Sequence, residues 1–305
     1  MAWKKNASGG AQYYYKPKKS TSKTIQKDWL KEHGYKQGHF PPEFFENIEK
    51  NLTPGRLGYW AYAIDGDGCV SLTRGTQVDV RIPLNDPEPV QQLSDIYGSS
   101  ISLTEYPEEN WAPTYTTRLT GERGLHFLRL ICPYMTEKRK KATQYINMID
   151  PNYHPPKISM NFRQNSELLN PHMGMVGGFF DTEGSVGMRI QKVKYKTKKF
   201  GDRFCTSLRE WVTFTNTDLR PLRKIKKILE TWPFNFKPSI YINKNKNINK
   251  VGKPNKIKYI LQIPKPQHLL FMKMFSPWIL ITRKREYADK FEHKKQIYKL
   301  YDENK

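Results

Sequence analysis

Two stretches of nine residues constrain this chain more than any others. Trp60-Ala61-Tyr62-Ala63-Ile64-Asp65-Gly66-Asp67-Gly68 and Val176-Gly177-Gly178-Phe179-Phe180-Asp181-Thr182-Glu183-Gly184 each run from apolar and small residues into an acid-x-acid-Gly corner. Ahead of the first, Thr53-Pro54 predicts a helix start, because Thr can cap free N–H groups and Pro at the first helical position gives up none that is needed. Asn170-Pro171 repeats the device. From Leu57 the pattern is apolar on nearly all sides as far as Gly66, which predicts a buried helix. Gly58 and Ala61 in one helix, and Gly174, Gly177 and Gly178 in the other, recur three or four apart. Each helix therefore offers a stripe where another backbone can come close. Packing through those stripes would bring the two C-terminal ends together, with Asp67 beside Glu183.

A single corner of this kind is often a plain helix-ending turn, with Gly supplying the left-handed backbone. Asp65-Gly66-Asp67-Gly68 also looks like the start of a calcium loop, but Cys69 and Val70 occupy the positions where an oxygen ligand and Gly are needed. The duplication points elsewhere. Two hard carboxylates beside a pseudo-twofold axis suit Mg2+, which keeps waters and substrate phosphates among its ligands.

After each corner the same order of elements follows. In the first copy, Cys69–Leu72 and Gln77–Leu84 read as strands, Pro89–Tyr97 as a helix, Ser100–Thr104 and Tyr115–Leu119 as strands, and Leu125 to Ile149 as a helix. In the second, strands are expected at Ser185–Lys194 and Leu208–Thr215, a helix at Leu219–Leu229, strands at Pro238–Asn243 and Lys258–Ile263, and helices from Gln267 to Tyr301. The order is α-β-β-α-β-β-α, twice, so an internal duplication is predicted. The expected division is a basic extension 1–52, a first repeat 53–150, a Pro- and Asn-rich linker 151–169 and a second repeat 170–305. Residues 1–27 contain no acid and read as a flexible basic arm; Thr24 to His33 and Glu43 to Asn51 read as short helices.

The net charge of +23 over 305 residues points to a polyanionic partner. No apolar run approaches the roughly 18 residues of a membrane span, so nucleic acid is favoured over a membrane surface. The charge is uneven: +6 over residues 1–56, −3 over 57–150 and +20 over 151–305. Three well-separated cysteines, Cys69, Cys132 and Cys205, argue against a disulfide framework and for a reducing compartment. Scattered histidines give no zinc spacing.

These features together resemble the LAGLIDADG homing endonucleases in their single-chain, two-repeat form. The family's nine-residue motif matches residues 60–68 and 176–184 in hydrophobicity, small-residue placement and acid positions, and the likeness spans roughly 53–150 and 170–301. It implies an α+β fold: a saddle of antiparallel sheets on DNA, with the motif helices packed at the repeat interface. It implies a monomeric, site-specific, Mg2+-dependent endonuclease that cuts each strand of a long asymmetric duplex and serves intron homing. The last motif acids, Asp67 and Glu183, take the metal-binding role, with Gly66 and Thr182 lending backbone carbonyls. Two or three divalent ions shared by the corners are implied, with Mn2+ or Ca2+ as substitutes in binding. Asp65 and Asp181 match the family's structural acids. The basic residue near each active centre, which organises waters and stabilises developing charge, falls on Lys138 and Lys284. A water-contacting polar residue at the end of the second strand falls on Asn216; in the first copy Asn85 and Asp86 both qualify, and Asp86 is the choice carried forward.

The resemblance also implies recognition by the strands, laid along the major groove with alternate side chains facing bases. Arg74, Gln77, Asp79 and Arg81 are the candidates in the first copy. Arg189, Gln191, Lys194, Lys196, Arg203, Arg209 and Thr213 are those in the second, with Lys244 and Lys246 tracking phosphates from a loop in the acid-free stretch Thr231 to Arg285. The rival readings are an RNA maturase of the same fold, with intron RNA as partner, and a duplicated DNA-binding protein without chemistry. An intracellular setting is expected, in a chloroplast or mitochondrion or in phage or bacterial cytoplasm.

Overall fold

The first corner closes a helix whose start is the predicted one. In the computed structural model, which describes residues 4–5, 11–12, 21–28, 40–106, 111–159, 169–197, 201–243, 257–294 and 296–297, helix α1 (Pro42–Asn51) is followed by α2 (Pro54–Gly66). Thr53 accepts a hydrogen bond from the Arg56 N–H, and Pro54 takes the first turn. Every residue of α2 from Gly58 to Asp65 is buried. In the extension, short strands β1 (Lys4–Lys5) and β2 (Ala11–Gln12) pair with each other, and β3 (Thr21–Gln26) follows. Strands β4 (Cys69–Thr73) and β5 (Gln77–Leu84) form a hairpin, then come α3 (Pro87–Tyr97), β6 (Ile101–Glu105), β7 (Thr114–Thr120), α4 (Glu122–Ile131) and α5 (Arg139–Asn147).

The second repeat follows the same plan. Helix α6 (Leu169–Glu183) leads into β8 (Gly184–Thr197) and β9 (Gly201–Asn216), α7 (Leu219–Glu230), β10 (Ser239–Asn243) and β11 (Lys258–Gln262). Short helices α8 (His268–Phe275), α9 (Thr282–Arg285) and α10 (Tyr287–Glu292) end the described fold. The sheets are wholly antiparallel, ordered β4-β5-β7-β6 in the first repeat and β8-β9-β11-β10 in the second. This is the mixed α+β architecture with a doubled element order that the motif predicts.

Each sheet has an apolar face covered by helices. Val78, Val80 and Ile82 alternate along β5 and pack with Leu119, Phe127, Leu128 and Ile131. Val212, Phe214 and Leu261 do the same under Leu222, Ile225, Phe271 and Phe275. Burying side chains of that size is worth about 1.5–3 kcal/mol each, which is what holds the strands at fixed register beneath the helices.

Four expectations fail for identifiable reasons. Thr21–Gln26 is a strand, β3, paired antiparallel to β6, where a helix and a flexible arm were expected. Asp28 behind it pairs with buried Arg123 at 2.7 Å, tying the extension to the first repeat. The long helix over 125–149 is two helices, because Pro133 lacks the N–H that continuing the helix would need. Asn170 is no cap, since α6 already runs through Leu169. The β8–β9 hairpin, 14 and 16 residues, extends well beyond the expected limits. Residues 160–168 of the linker and the expected helix beyond 297 lie outside the described residues. No helix among the described residues is long and apolar enough to cross a membrane.

Candidate active site at the two acidic corners

Helices α2 and α6 meet backbone to backbone. A Cβ on Gly174 would stand 1.8 Å from the Gly55 carbonyl oxygen, and one on Gly178 2.1 Å from that of Tyr59. A Cβ on Gly58 would meet the Pro171 oxygen at 2.0 Å, so only glycine fits at these crossings. Gly177 belongs to a different contact, against Trp278 of its own repeat. The crossing carries the corners into touch: at Gly66 an added Cβ would lie 2.2 Å from Thr182 Oγ1 and 3.3 Å from Glu183 Cγ. Asp67 is the first residue beyond its helix, Glu183 the last within its own.

The inner motif acids act as clamps. Asp65, fully buried, accepts from the backbone N–H groups of Thr136, Glu137 and Lys138 at 2.5, 3.1 and 2.9 Å. Asp181 accepts from Leu280 and Ile281 N–H at 2.6 and 3.3 Å and from the Tyr59 hydroxyl at 2.8 Å. The Tyr59 bond crosses between repeats. Burial raises the Asp65 carboxyl and pushes that of Asp181 up to about 6, against the pull of Lys284 and of these donors.

Each clamp delivers a lysine onto the end of its motif helix. Lys138 Nζ donates to the carbonyls of Ile64, Asp65 and Gly66 at 2.7, 2.5 and 3.4 Å. Lys284 Nζ donates to Phe180, Asp181 and Gly184 at 2.6, 2.8 and 2.8 Å. A cation on the terminal carbonyls satisfies groups that have no partner in the helix and opposes the negative end of its dipole. Lys284 thus has all three protons committed to backbone, so its direct duty is to hold the corner rather than a water. Burial lowers its ammonium to about 8, opposed by Asp181.

Charge is concentrated where the corners meet. Burial raises the Asp67 carboxyl despite Lys138 and Lys284. Glu183 is pushed up to about 7, first by burial and then by the carboxylates of Asp67 and Glu137. Carboxylates held together against their own repulsion suit a divalent cation. Among the described residues no group of three His, Cys, Asp or Glu side chains forms a cage for an ion, so waters and phosphates would have to complete the coordination.

A cleft of about 370 Å³ beside the corners is lined by Asp67, Asp86, Thr182, Ser185, Arg283 and Lys284, among others. Asp86 enters it bound bidentately by Arg283 Nε and Nη2 at 2.7 and 2.8 Å, across the repeat boundary. Asn216 is outside this wall, nearly buried, its Oδ1 accepting from Asp218 N–H at 2.7 Å. The sheet register settles the counterparts. Cys69 pairs with Arg81 and Ser185 with Thr213, which aligns Leu84 with Asn216 and Asp86 with Asp218. Asp86 and Asp218 are both the residue preceding a helix. Neither Asn85 nor Asp86 is therefore the equivalent of Asn216; an apolar leucine is.

The outer faces of the two sheets hold most of the remaining candidates. Gln77, Asp79 and Arg81 share the outer face of the first sheet, and Arg74 sits in the β4–β5 turn at φ 51°. Asp79 is fully buried beneath Arg81 and Arg118, so it presents no carboxylate outward. Arg189, Gln191, Arg209 and Thr213 share the outer face of the second sheet. Lys194 falls on the opposite face, since side chains alternate and it differs in parity from Arg189; the side chains of Lys196 and Arg203 lie outside the described residues. Lys244 and Lys246 lie outside the described residues.

The chain is similar to LAGLIDADG homing endonucleases. Among solved structures, that of the LAGLIDADG meganuclease I-AabMI bound to uncleaved DNA matches at 15% identity and TM-score 0.46, covering 81% of this chain and 92% of that one. I-CpaMI bound to uncleaved DNA matches at 11% identity and TM-score 0.46 with the same coverage. I-SmaMI bound to uncleaveable DNA matches at 14% and 0.40, covering 78% and 89%. No protein-family model matches the chain, and no curated protein does. At such identities the chemistry rests on this chain's own residues.

Three residues escape a reading of the sequence, Glu137 and Arg283 at the corners and Arg118 on the outer face of the first sheet. Glu137, Arg283 and Arg118 have no motif around them. The only available signal was adjacency, since Glu137 and Arg283 each precede the lysine that caps a corner.

Proposed function

We propose that this protein is a site-specific double-strand DNA endonuclease of the LAGLIDADG type, acting as a monomer with both active centres in one chain. The observation that carries the reading is the pair of touching acidic corners, each capped by a buried or half-buried lysine and each continuing directly into a sheet with a polar outer face. Asp67 and Glu183, with the backbone of Gly66 and Thr182, would hold Mg2+, which when bound supplies Lewis-acid stabilisation of charge on the scissile phosphates and lowers the pKa of a bound water.

The chain's own residues supply position and field. Asp65 and Asp181 fix the segments that carry Lys138 and Lys284. The lysines fix the corner carbonyls and place positive charge behind both carboxylates, drawing them toward the ionised form that a metal needs. Hydrolysis at each strand joins a water oxygen to phosphorus and breaks one P–O ester bond; of the two water protons, the departing sugar oxygen gains the equivalent of one and the other passes to solvent. The uneven charge, +20 behind Glu183 against −3 around Asp67, assigns most of the phosphate affinity to the second repeat.

The test starts from duplexes enriched by binding out of a randomised library. Linear plasmid product in Mg2+, and none in EDTA, is the expected result. Tight duplex binding with neither strand cut in Mg2+ or Mn2+ contradicts the reading.

A further inference from the structure

On the outer face of the first sheet one carboxylate organises two guanidinium groups. Asp79 on β5 accepts from Arg81 Nε and Nη2 at 2.9 and 2.7 Å, two residues along the same strand. It also accepts from Arg118 Nε and Nη2 of the neighbouring strand β7 at 2.7 and 3.1 Å. Ser71 on β4 donates to it from the other side at 3.3 Å. The carboxylate is completely covered, while the two arginine side chains remain 46% exposed. Burial alone would raise the Asp79 carboxyl, but the bonds and charge of Arg118 and Arg81 outweigh it and hold it below the usual range.

Arg81 and Arg118 are directly opposed across the β5–β7 ladder. Like charges so placed repel and destabilise a sheet, and Asp79, bonded to both, offsets that repulsion here. The other strand positions of this face, such as Ser71, Thr73, Gln77, Thr116 and Thr120, carry no charge. Both guanidiniums use the side-on fork, Nε with Nη2, on Asp79. That leaves the end-on fork, Nη1 with Nη2, unspent on each. Two parallel donors in that spacing match the O6 and N7 acceptors that guanine alone presents in the major groove. A guanidinium already locked in place loses little rotamer freedom on binding.

Building on the endonuclease reading, we infer that Asp79, Arg81 and Arg118 form a preorganised guanine-reading unit: the two arginines each contact a guanine at neighbouring base pairs of the first half-site, and Asp79 is the residue that positions both. The same three register positions in the second sheet are Trp211, Thr213 and Gln262, which cannot build such a unit. Guanine preference of this origin is therefore confined to one half of the target.

The test is selection of duplexes from a randomised library by the full chain in Ca2+, followed by sequencing of the bound pool. Wild type should enrich guanine at two neighbouring positions in one half-site. Arg81→Ala and Arg118→Ala should each relax one of these by about 5- to 150-fold. Asp79→Asn should relax both while the other half-site keeps its preferences, which also reports that the fold is intact. If Asp79→Asn disturbs both half-sites, Arg81→Lys and Arg118→Lys decide instead, because they keep charge and lose the fork. Guanine preference that survives in Asp79→Asn or in the lysine variants overturns the unit and leaves the endonuclease reading standing. A wild-type pool with no preferred sequence overturns both.

Discussion

The two sheets differ most where their registers coincide. Asp79, Arg81 and Arg118 in the first stand where Trp211, Thr213 and Gln262 stand in the second. In place of a buried ion triad, the second sheet has an indole laid over Gly187, where a Cβ would come within 2.0 Å of the ring, with Nε1 donating to Ser185 at 3.1 Å. Arg189 and Arg209 oppose each other on one side of it, and the covered carboxylate next in sequence, Glu210, is engaged by Lys294 instead. The corners, by contrast, agree in arrangement: clamp acid, outer acid, capping lysine. The molecule keeps its pseudo-symmetry where the chemistry is proposed to lie and abandons it where it would meet two unlike half-sites.

The shared part should be the more fragile. Gly178→Val forces a side chain into the Tyr59 carbonyl and should cost about 3 kcal/mol or more, seen as a lowered Tm and loss of cleavage together. Wild-type stability in that variant would mean that the helices do not cross as described. The capping lysines test whether the repeats are equal. Lys138→Met and Lys284→Met should each slow cleavage on the order of 10²-fold. The Lys284 variant should lose the more stability, about 1–3 kcal/mol, because its carbonyls are buried and Lys138 is only half-buried.

The sign of the pH dependence follows from Glu183. Its carboxyl, at about 7 without metal, must ionise before it can ligate, so affinity for Ca2+ should rise about tenfold per pH unit below 7 and flatten above it. Calorimetric titration of wild type against Glu183→Gln checks this, and a slope that persists in the variant would assign the proton elsewhere. The smallest effect is expected across the repeat boundary. Arg283→Ala removes an ion pair whose arginine is 66% exposed, and should change stability by less than about 1 kcal/mol in thermal melts.

What was legible in the sequence was what local chemistry dictates. Thr53-Pro54 set a helix start, the glycine stripes set the crossing, and the duplicated acids mark the corners that meet, because each is decided within a few residues. Strand β3 was not legible. Its Thr, Ser and Lys residues are exposed along nearly their whole length, so no apolar alternation marks it, and its partners in β6 are about eighty residues away. Arg118 was missed for a related reason: among threonines in β7 it has no meaning until the register places it opposite Arg81. Lys194 is a candidate alongside Arg189 in the sequence, yet one residue of phase puts it on the other face. The role of Asp86 needed both repeats, since only the paired hairpins align it with Asp218.

The central claim is that the two corners form one catalytic pair inside a single chain. It is tested most directly by strand-resolved cleavage of a selected duplex with Asp67→Asn and Glu183→Gln. Loss of double-strand cleavage in each variant, on the order of 10²- to 10³-fold, with duplex affinity kept within a few-fold, is the predicted result. Undiminished cutting of both strands by either variant would contradict the account.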